Sequence, residues 1–185
     1  MTPLPEIRIT APQWLTGLLD WDAVYRAGED RMRVAIRVAR ENVLRDGGPF
    51  GAAVFESGSG RLVSAGTNLV LPLHNSMLHA EVVALMLAEA RLKSRTLGGG
   101  NPHELVTSCE PCAMCLGAVH WSGIAALTCG ATREDAEKIG FAEGPVFEDS
   151  WRYLTTRGLV VRRGVCREEA AEVLTLYADR NGVIY

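Results

Sequence analysis

The sequence predicts an α/β protein built on one mixed sheet of five strands with helices on both faces. Three observations carry this. Residues 51–56 and 61–66 are β-rich and flank Ser57-Gly58-Ser59-Gly60, the signature of an antiparallel hairpin. From residue 79 onward short apolar strands alternate with helical patterns, which requires parallel crossover connections. Apolar residues make up 48% and charged residues 22% of the 185, so the chain can bury a sizeable core and is not disordered.

The elements follow in chain order. Residues 1–21, with Trp14 and a Leu-rich patch, are too apolar for a free tail and are expected as an extension packed on the domain or on a partner. The remainder, 22–185, is expected as a single domain. From Asp22 to Arg45 the residues Met32, Ala35, Ile36, Ala39 and Val43 keep helical spacing, while Arg33, Arg37 and Arg40 form a separate stripe expected to face solvent. Gly47-Gly48-Pro49 stops that helix and the hairpin follows. An irregular link through Pro72 and His74 leads to a helix from His79 to Lys93, with Val83, Met86, Leu87 and Ala90 on one face. A Gly-rich loop at 97–102 precedes a strand at 104–108, a helix at 112–121, a strand at 124–129 and a short helix at 134–139. A strand at 159–162 and a helix whose face is Ala170, Val173, Leu174 and Tyr177 close the series. Met114, His120 and Trp121 are expected in the core.

Charge narrows the function. With 19 basic and 22 acidic side chains the net charge is −3, which argues against a protein that grips long nucleic acid through phosphates and favours small substrates. The opening residues carry Glu6, Arg8, Asp20 and the prolines Pro3 and Pro5, so they lack the pattern of an export signal, and a cytoplasmic protein is expected. Residues 111–132 contain no charge and are long enough to cross a bilayer. Pro111, Gly117, His120, Ser122, Gly123 and Gly130 punctuate them, so they read as buried core and no membrane contact is expected.

The five cysteines, Cys109, Cys112, Cys115, Cys129 and Cys166, are an odd number, which disfavours a disulfide framework. Three of them crowd one short window. Pro111-Cys112-Ala113-Met114-Cys115 and, upstream, His79-Ala80-Glu81 each open a helix. Cys112 and Cys115 share a helical face, and the unpaired amides of a helix N-terminus favour thiolate, the form that binds metal. With His79 they make a three-ligand set, the pattern of a catalytic zinc site whose fourth position stays open for a water made acidic by the metal. Glu81 then suits a general acid–base that takes a proton from that water and returns it to a leaving group. Two other readings stand beside this one: a redox pair, and a structural zinc site completed by Cys109, His74 or His120.

His-x-Glu followed by Pro-Cys-x-x-Cys resembles the signature of the cytidine-deaminase-like superfamily of zinc hydrolases. That resemblance implies a three-layer α/β/α sandwich, Zn2+ on His79, Cys112 and Cys115, proton transfer by Glu81, and hydrolytic loss of an exocyclic amine. Residues 107–123 look like the branch that holds guanine deaminases and tRNA adenosine deaminases. Gly47 to Val54, Ala65-Gly-Thr-Asn68, Ile139 to Pro145 and Asn181 to Tyr185 are further similar to bacterial guanine deaminases.

These similarities imply deamination of guanine to xanthine and ammonia. They place Phe50 against a planar base, Asn68 on a purine edge with both a donor and an acceptor, Ala80 beside the substrate, and Glu143 as a second carboxylate. Tyr185 would belong to a tail folded over the site of its own chain or of a homodimer mate. The rival substrates are guanosine, an amino-triazine such as ammeline, and tRNA adenosine, which the net charge disfavours. A zinc-stabilised binding module is the non-enzymatic rival.

Overall fold

The computed structural model describes Leu4 and residues 6–185; the early prolines Pro3 and Pro5 lie outside the described residues. Five strands, β1 (Gly51–Glu56), β2 (Leu62–Thr67), β3 (His103–Cys109), β4 (Ala126–Ala131) and β5 (Val160–Arg162), form one sheet in the order β2-β1-β3-β4-β5. β1 is antiparallel to β2 and β3, whereas β3, β4 and β5 run parallel. Alternation along β1 sends Ala53 and Phe55 to one face and Ala52 and Val54 to the other. Each face is buried, giving the three layers expected from the sequence.

On the first face lie α1 (Gln13–Leu18), α2 (Gly28–Leu44), α6 (Arg133–Lys138) and α8 (Arg167–Asp179). The opposite face carries α4 (Ala80–Leu92), α5 (Ala113–Ser122) and α7 (Glu148–Thr156). Leu15 of α1 and Leu19 just after it are buried in the same cluster as α2. At Gly66 in β2 a Cβ would lie 2.4 Å from the Ala80 carbonyl. The absence of a side chain there lets the first turn of α4, with His79 and Glu81, sit directly on the hairpin.

Several expectations need correction. α2 starts at Gly28 and not at Asp22, because Asp20 accepts from the amides of Asp22 and Ala23, Val24 bridges to Arg61, and Tyr25 N–H donates to Gly60 O. The Arg stripe is not simply solvated: Arg33 pairs with Glu169 and Arg40 with Glu172 on α8. The link through Pro72 holds a one-turn helix, α3 (Val70–Leu73). α7 has no counterpart in the sequence reading, since only Trp151 and Leu154 of its nine residues are buried. Trp121 is 81% exposed and not in the core, and Met114 and His120 are half-buried. α5 is apolar nearly all round, so its spacing could not choose which side meets the sheet.

Candidate active site

Two helix starts build the site. His79 is the N-cap of α4 in extended backbone, and Cys112, directly after Pro111, is the N-cap of α5, with Cys115 in the first turn. His79 Nδ1 lies 3.5 Å from Cys112 Sγ and 3.6 Å from Cys115 Sγ. A tetrahedral ion with Zn–N of about 2.1 Å and Zn–S of about 2.3 Å holds its N and S ligands about 3.6 Å apart. The residues therefore fit zinc in donor type, in spacing and in number. Among the described residues the ligand group is His79, Cys112 and Cys115, three and not four.

The proposed fourth ligands are engaged elsewhere. Cys109 Sγ faces the Thr132 carbonyl at 3.5 Å, and His120 packs edge-on against Trp121 and Tyr153. His74 caps α3 in left-handed backbone. A structural four-ligand site has no support in this arrangement.

The hydrogen bond with Cys115 holds the Cys112 thiol down to about 4, against burial and with help from His79. The same bond, followed by burial, pushes Cys115 up. Burial opposes charge on His79, but its hydrogen bond with Cys112 and the negative charges of Glu81, Cys112 and Glu143 raise its pKa overall. Glu81, 6% exposed, is raised to about 7 by burial and then by the charge of Cys112. A carboxyl poised there can take and return a proton near neutrality.

Glu143 joins this group from the loop between α6 and α7. It is 8% exposed, and burial first, then Cys112 and Glu81, raise it to about 8. Its carbonyl accepts the Ala113 N–H at 3.0 Å, tying it to the first turn of α5. Two acids thus converge on one ligand set.

Further residues come from the two ends of the hairpin. Asn68 is fully buried, its Oδ1 accepts the Val70 N–H at 3.1 Å, and its Nδ2 makes no full hydrogen bond within the protein, the Tyr185 hydroxyl being the polar group beside it. The Val70 donor fixes which end of the amide is oxygen. Asn68 therefore keeps its Nδ2 donor for a ligand, while one lone pair of its oxygen is committed to Val70. Phe50 is half-buried and edge-on to Phe141 at 4.9 Å. Ala80 is fully buried with its methyl in the core, so it can contribute to a ligand only through its backbone.

Tyr185 folds back on its own chain. Its ring meets Phe141 edge-on at 5.2 Å, and its hydroxyl lies so close to Gly48 that a Cβ there would be 1.9 Å away. Burial, then Tyr177, Glu81 and Glu143, push its pKa far above the usual phenol value.

Two residues that sequence reasoning missed support this part of the site. Asn42 Nδ2 donates to Gly48 O at 2.8 Å and to Asn68 O at 3.1 Å. A polar side chain on the buried face of α2 was the signal that could have found it. Phe141 joins Phe50, Tyr177 and Tyr185 in one aromatic cluster, and only its place beside Glu143 in the sequence hinted at it.

Residues 26–131 match the family described as the cytidine and deoxycytidylate deaminase zinc-binding region. The guanine deaminase of Bacillus subtilis is 34% identical over 124 residues, which cover 65% of this chain and 75% of that protein. The guanine deaminase from Nitrosomonas europaea has a solved structure 44% identical to this chain, with a TM-score of 0.90 over 94% of this chain and 97% of that one. A structure of NE0047 in complex with 2,6-diaminopurine is 46% identical, with a TM-score of 0.91 over 96% and 95% of the two chains. A solved tRNA:A34 deaminase is more distant, at 26% identity and a TM-score of 0.63 over 77% of this chain and 97% of that one. With more than half its length matching, and with the motif residues gathered into one site, the chain belongs to the cytidine and deoxycytidylate deaminase zinc-binding family.

Proposed function

We propose that the protein hydrolyses guanine to xanthine and ammonia, with zinc held by His79, Cys112 and Cys115. The observation that carries this reading is the pairing of two buried acids, Glu81 and Glu143, beside the ligand set, with the buried Asn68 amide next to the Tyr185 hydroxyl that both acids also face. Bound zinc supplies a water acidified to a pKa of about 7. Glu81 accepts that water's proton and passes it to the ring nitrogen beside the reacting carbon, then to the departing amine. Glu143, when ionised, accepts a hydrogen bond from the ring N–H beside the reacting carbon; its alternative role, when protonated, is to share with Glu81 in protonating the departing amine. Asn68 donates to a purine acceptor, Phe50 and the Ala80 backbone border the ring, and Tyr185 covers it.

Adenine has no ring N–H on its six-membered ring to meet Glu143. The similarity to guanine deaminases, 44% against 26% for the tRNA:A34 deaminase, points the same way. Residues 22–185 would form the catalytic unit, with 1–21 as an extension. A homodimer is part of the proposal, supported by the exposed rings of Trp121 and Tyr153, which both pack on His120. So is a cytoplasmic location, supported by five cysteines that are all free thiols.

The test is ammonia release by the zinc-loaded protein from guanine, guanosine, adenine, cytosine, cytidine, ammeline and a tRNA anticodon stem-loop. Guanine should be turned over fastest. Preference for the stem-loop would overturn the substrate, and zinc binding without turnover of any of them would overturn the enzyme.

A further inference from the structure

The loop that carries Glu143, residues 139–147, has few anchors. Phe141 packs into the aromatic cluster, and the Glu143 carbonyl accepts from Ala113. Among the described residues, the side chain outside this loop and α7 that hydrogen-bonds its backbone is Arg133, whose Nη1 donates to Val146 O at 2.8 Å.

Arg133 is itself fixed. It opens α6, and its own N–H donates to Glu110 Oε2 at 3.1 Å. Glu110 is 4% exposed, accepts from Arg163 Nε at 2.5 Å through its other oxygen, and donates its N–H to Ala131 O at 2.9 Å. Arg163 in turn lies over the Trp151 ring, 4.8 Å from its centroid. A buried carboxylate with both oxygens satisfied is a rigid post. Because Glu110 stands immediately before Pro111 and Cys112, the post that holds Arg133 is continuous with the segment that carries the ligands.

We infer that Arg133 is a positioning residue for Glu143, kept in register with the metal-ligand helix by Glu110. Beyond the packing of Phe141 and Val146, the Glu143 segment has two polar anchors: the Ala113 N–H on the Glu143 carbonyl and the Arg133 guanidinium on the Val146 carbonyl. Losing the guanidinium removes the polar anchor on the C-terminal side of Glu143, leaving the Ala113 contact and the packing of Phe141 and Val146 to hold it. Misplacement of a catalytic acid by a fraction of an ångström to one ångström is enough to cost tenfold to about a hundredfold in rate.

This rests on the proposed reaction for its kinetic arm, and a second arm stands apart from it. Arg133→Ala in the zinc-loaded enzyme should keep zinc stoichiometric and lower kcat on guanine at least about tenfold, with a smaller change in KM. In a Glu143→Gln background the same substitution should be nearly silent, since it acts through Glu143. Hydrogen exchange of the Ala113 amide, which reports the Glu143 carbonyl contact, should become about fivefold faster or more, while Val106 in β3 is unchanged. Arg133→Lys, which keeps a charged donor, should recover part of both effects.

Equal losses of kcat in the two Glu143 backgrounds would overturn the inference, as would an unaltered Ala113 amide. If the wild-type protein leaves guanine untouched, the functional reading falls and the exchange of Ala113 alone decides the positioning.

Discussion

Gly48→Ala is a small change whose consequence can be worked out in advance. The backbone of Gly48 lies outside the left-handed region, so alanine is conformationally tolerated there. Space is the obstacle. Its Cβ would lie 1.9 Å from the Tyr185 hydroxyl and 3.1 Å from Asn68 Oδ1. Asn68 cannot yield, because it is buried and bonded to the Val70 N–H. Tyr185 must therefore retreat by about 1.5 Å to restore an ordinary contact of about 3.4 Å. That loosens the edge-on contact with Phe141, whose full worth is about 0.5–1.5 kcal/mol. We expect KM for guanine to rise about twofold to tenfold, and the melting temperature to fall by less than about 5 °C. Steady-state kinetics on Gly48→Ala, Tyr185→Ala and the double variant decide the matter, because a substitution that acts only by expelling Tyr185 has nothing left to expel in Tyr185→Ala. A second, equal loss in the double variant would refute the reasoning, as would a wild-type KM in Gly48→Ala.

Metal analysis should find no stoichiometric zinc in Cys112→Ser or Cys115→Ser and full zinc in Cys109→Ser, whose thiol faces Thr132 O. Loss of zinc in Cys109→Ser would restore the four-ligand site. Glu81→Gln should retain zinc and lose about a hundredfold or more in turnover, since the acid is not among the ligands; near-normal activity would exclude it as the proton carrier. Asp135 is held well below the usual carboxylate range by Arg167, with burial opposing and the Thr132 amide assisting. A depressed folded pKa contributes stability that is present above the ordinary value of 3.8 and is lost as pH falls below it. The unfolding free energies of wild type and Asp135→Asn should therefore differ by a constant amount above about pH 5 and converge in acid. A gap that stays constant through pH 3 would show that the ion pair is not its source.

The metal site was legible because each half of it is local. A His or Cys at a helix N-cap with a partner in the following turn is fixed by a few residues of sequence, and the two helix starts needed only to meet. Hairpin, crossovers and the buried face of α8 were legible for the same reason: period and punctuation are local signals. What failed was whatever depends on a distant neighbour. α5, apolar on every side, left Trp121 without a readable orientation. α7, with two buried residues, left no periodicity to find. The Arg stripe on α2 met its partners only when α8 packed beside it.

Asn68 shows how the fold sharpens a reading that sequence leaves open. As a residue type it can donate and accept, and either end could face a purine. The turn into α3 points its oxygen at the Val70 N–H, so the Nδ2 donor is the end left for a ligand to meet first. Glu143 can accept when it is ionised. In the proposed reaction the site therefore reads a base that offers both an acceptor and a ring N–H donor. Guanine has that polarity, with its ring N–H beside its exocyclic amine, and adenine lacks the ring donor. Discrimination by unpaired buried polar groups is steep, because a base without the ring donor leaves the buried carboxylate unsatisfied. Specificity in this reading comes from one amide oriented by its own backbone and one carboxylate oriented by its loop.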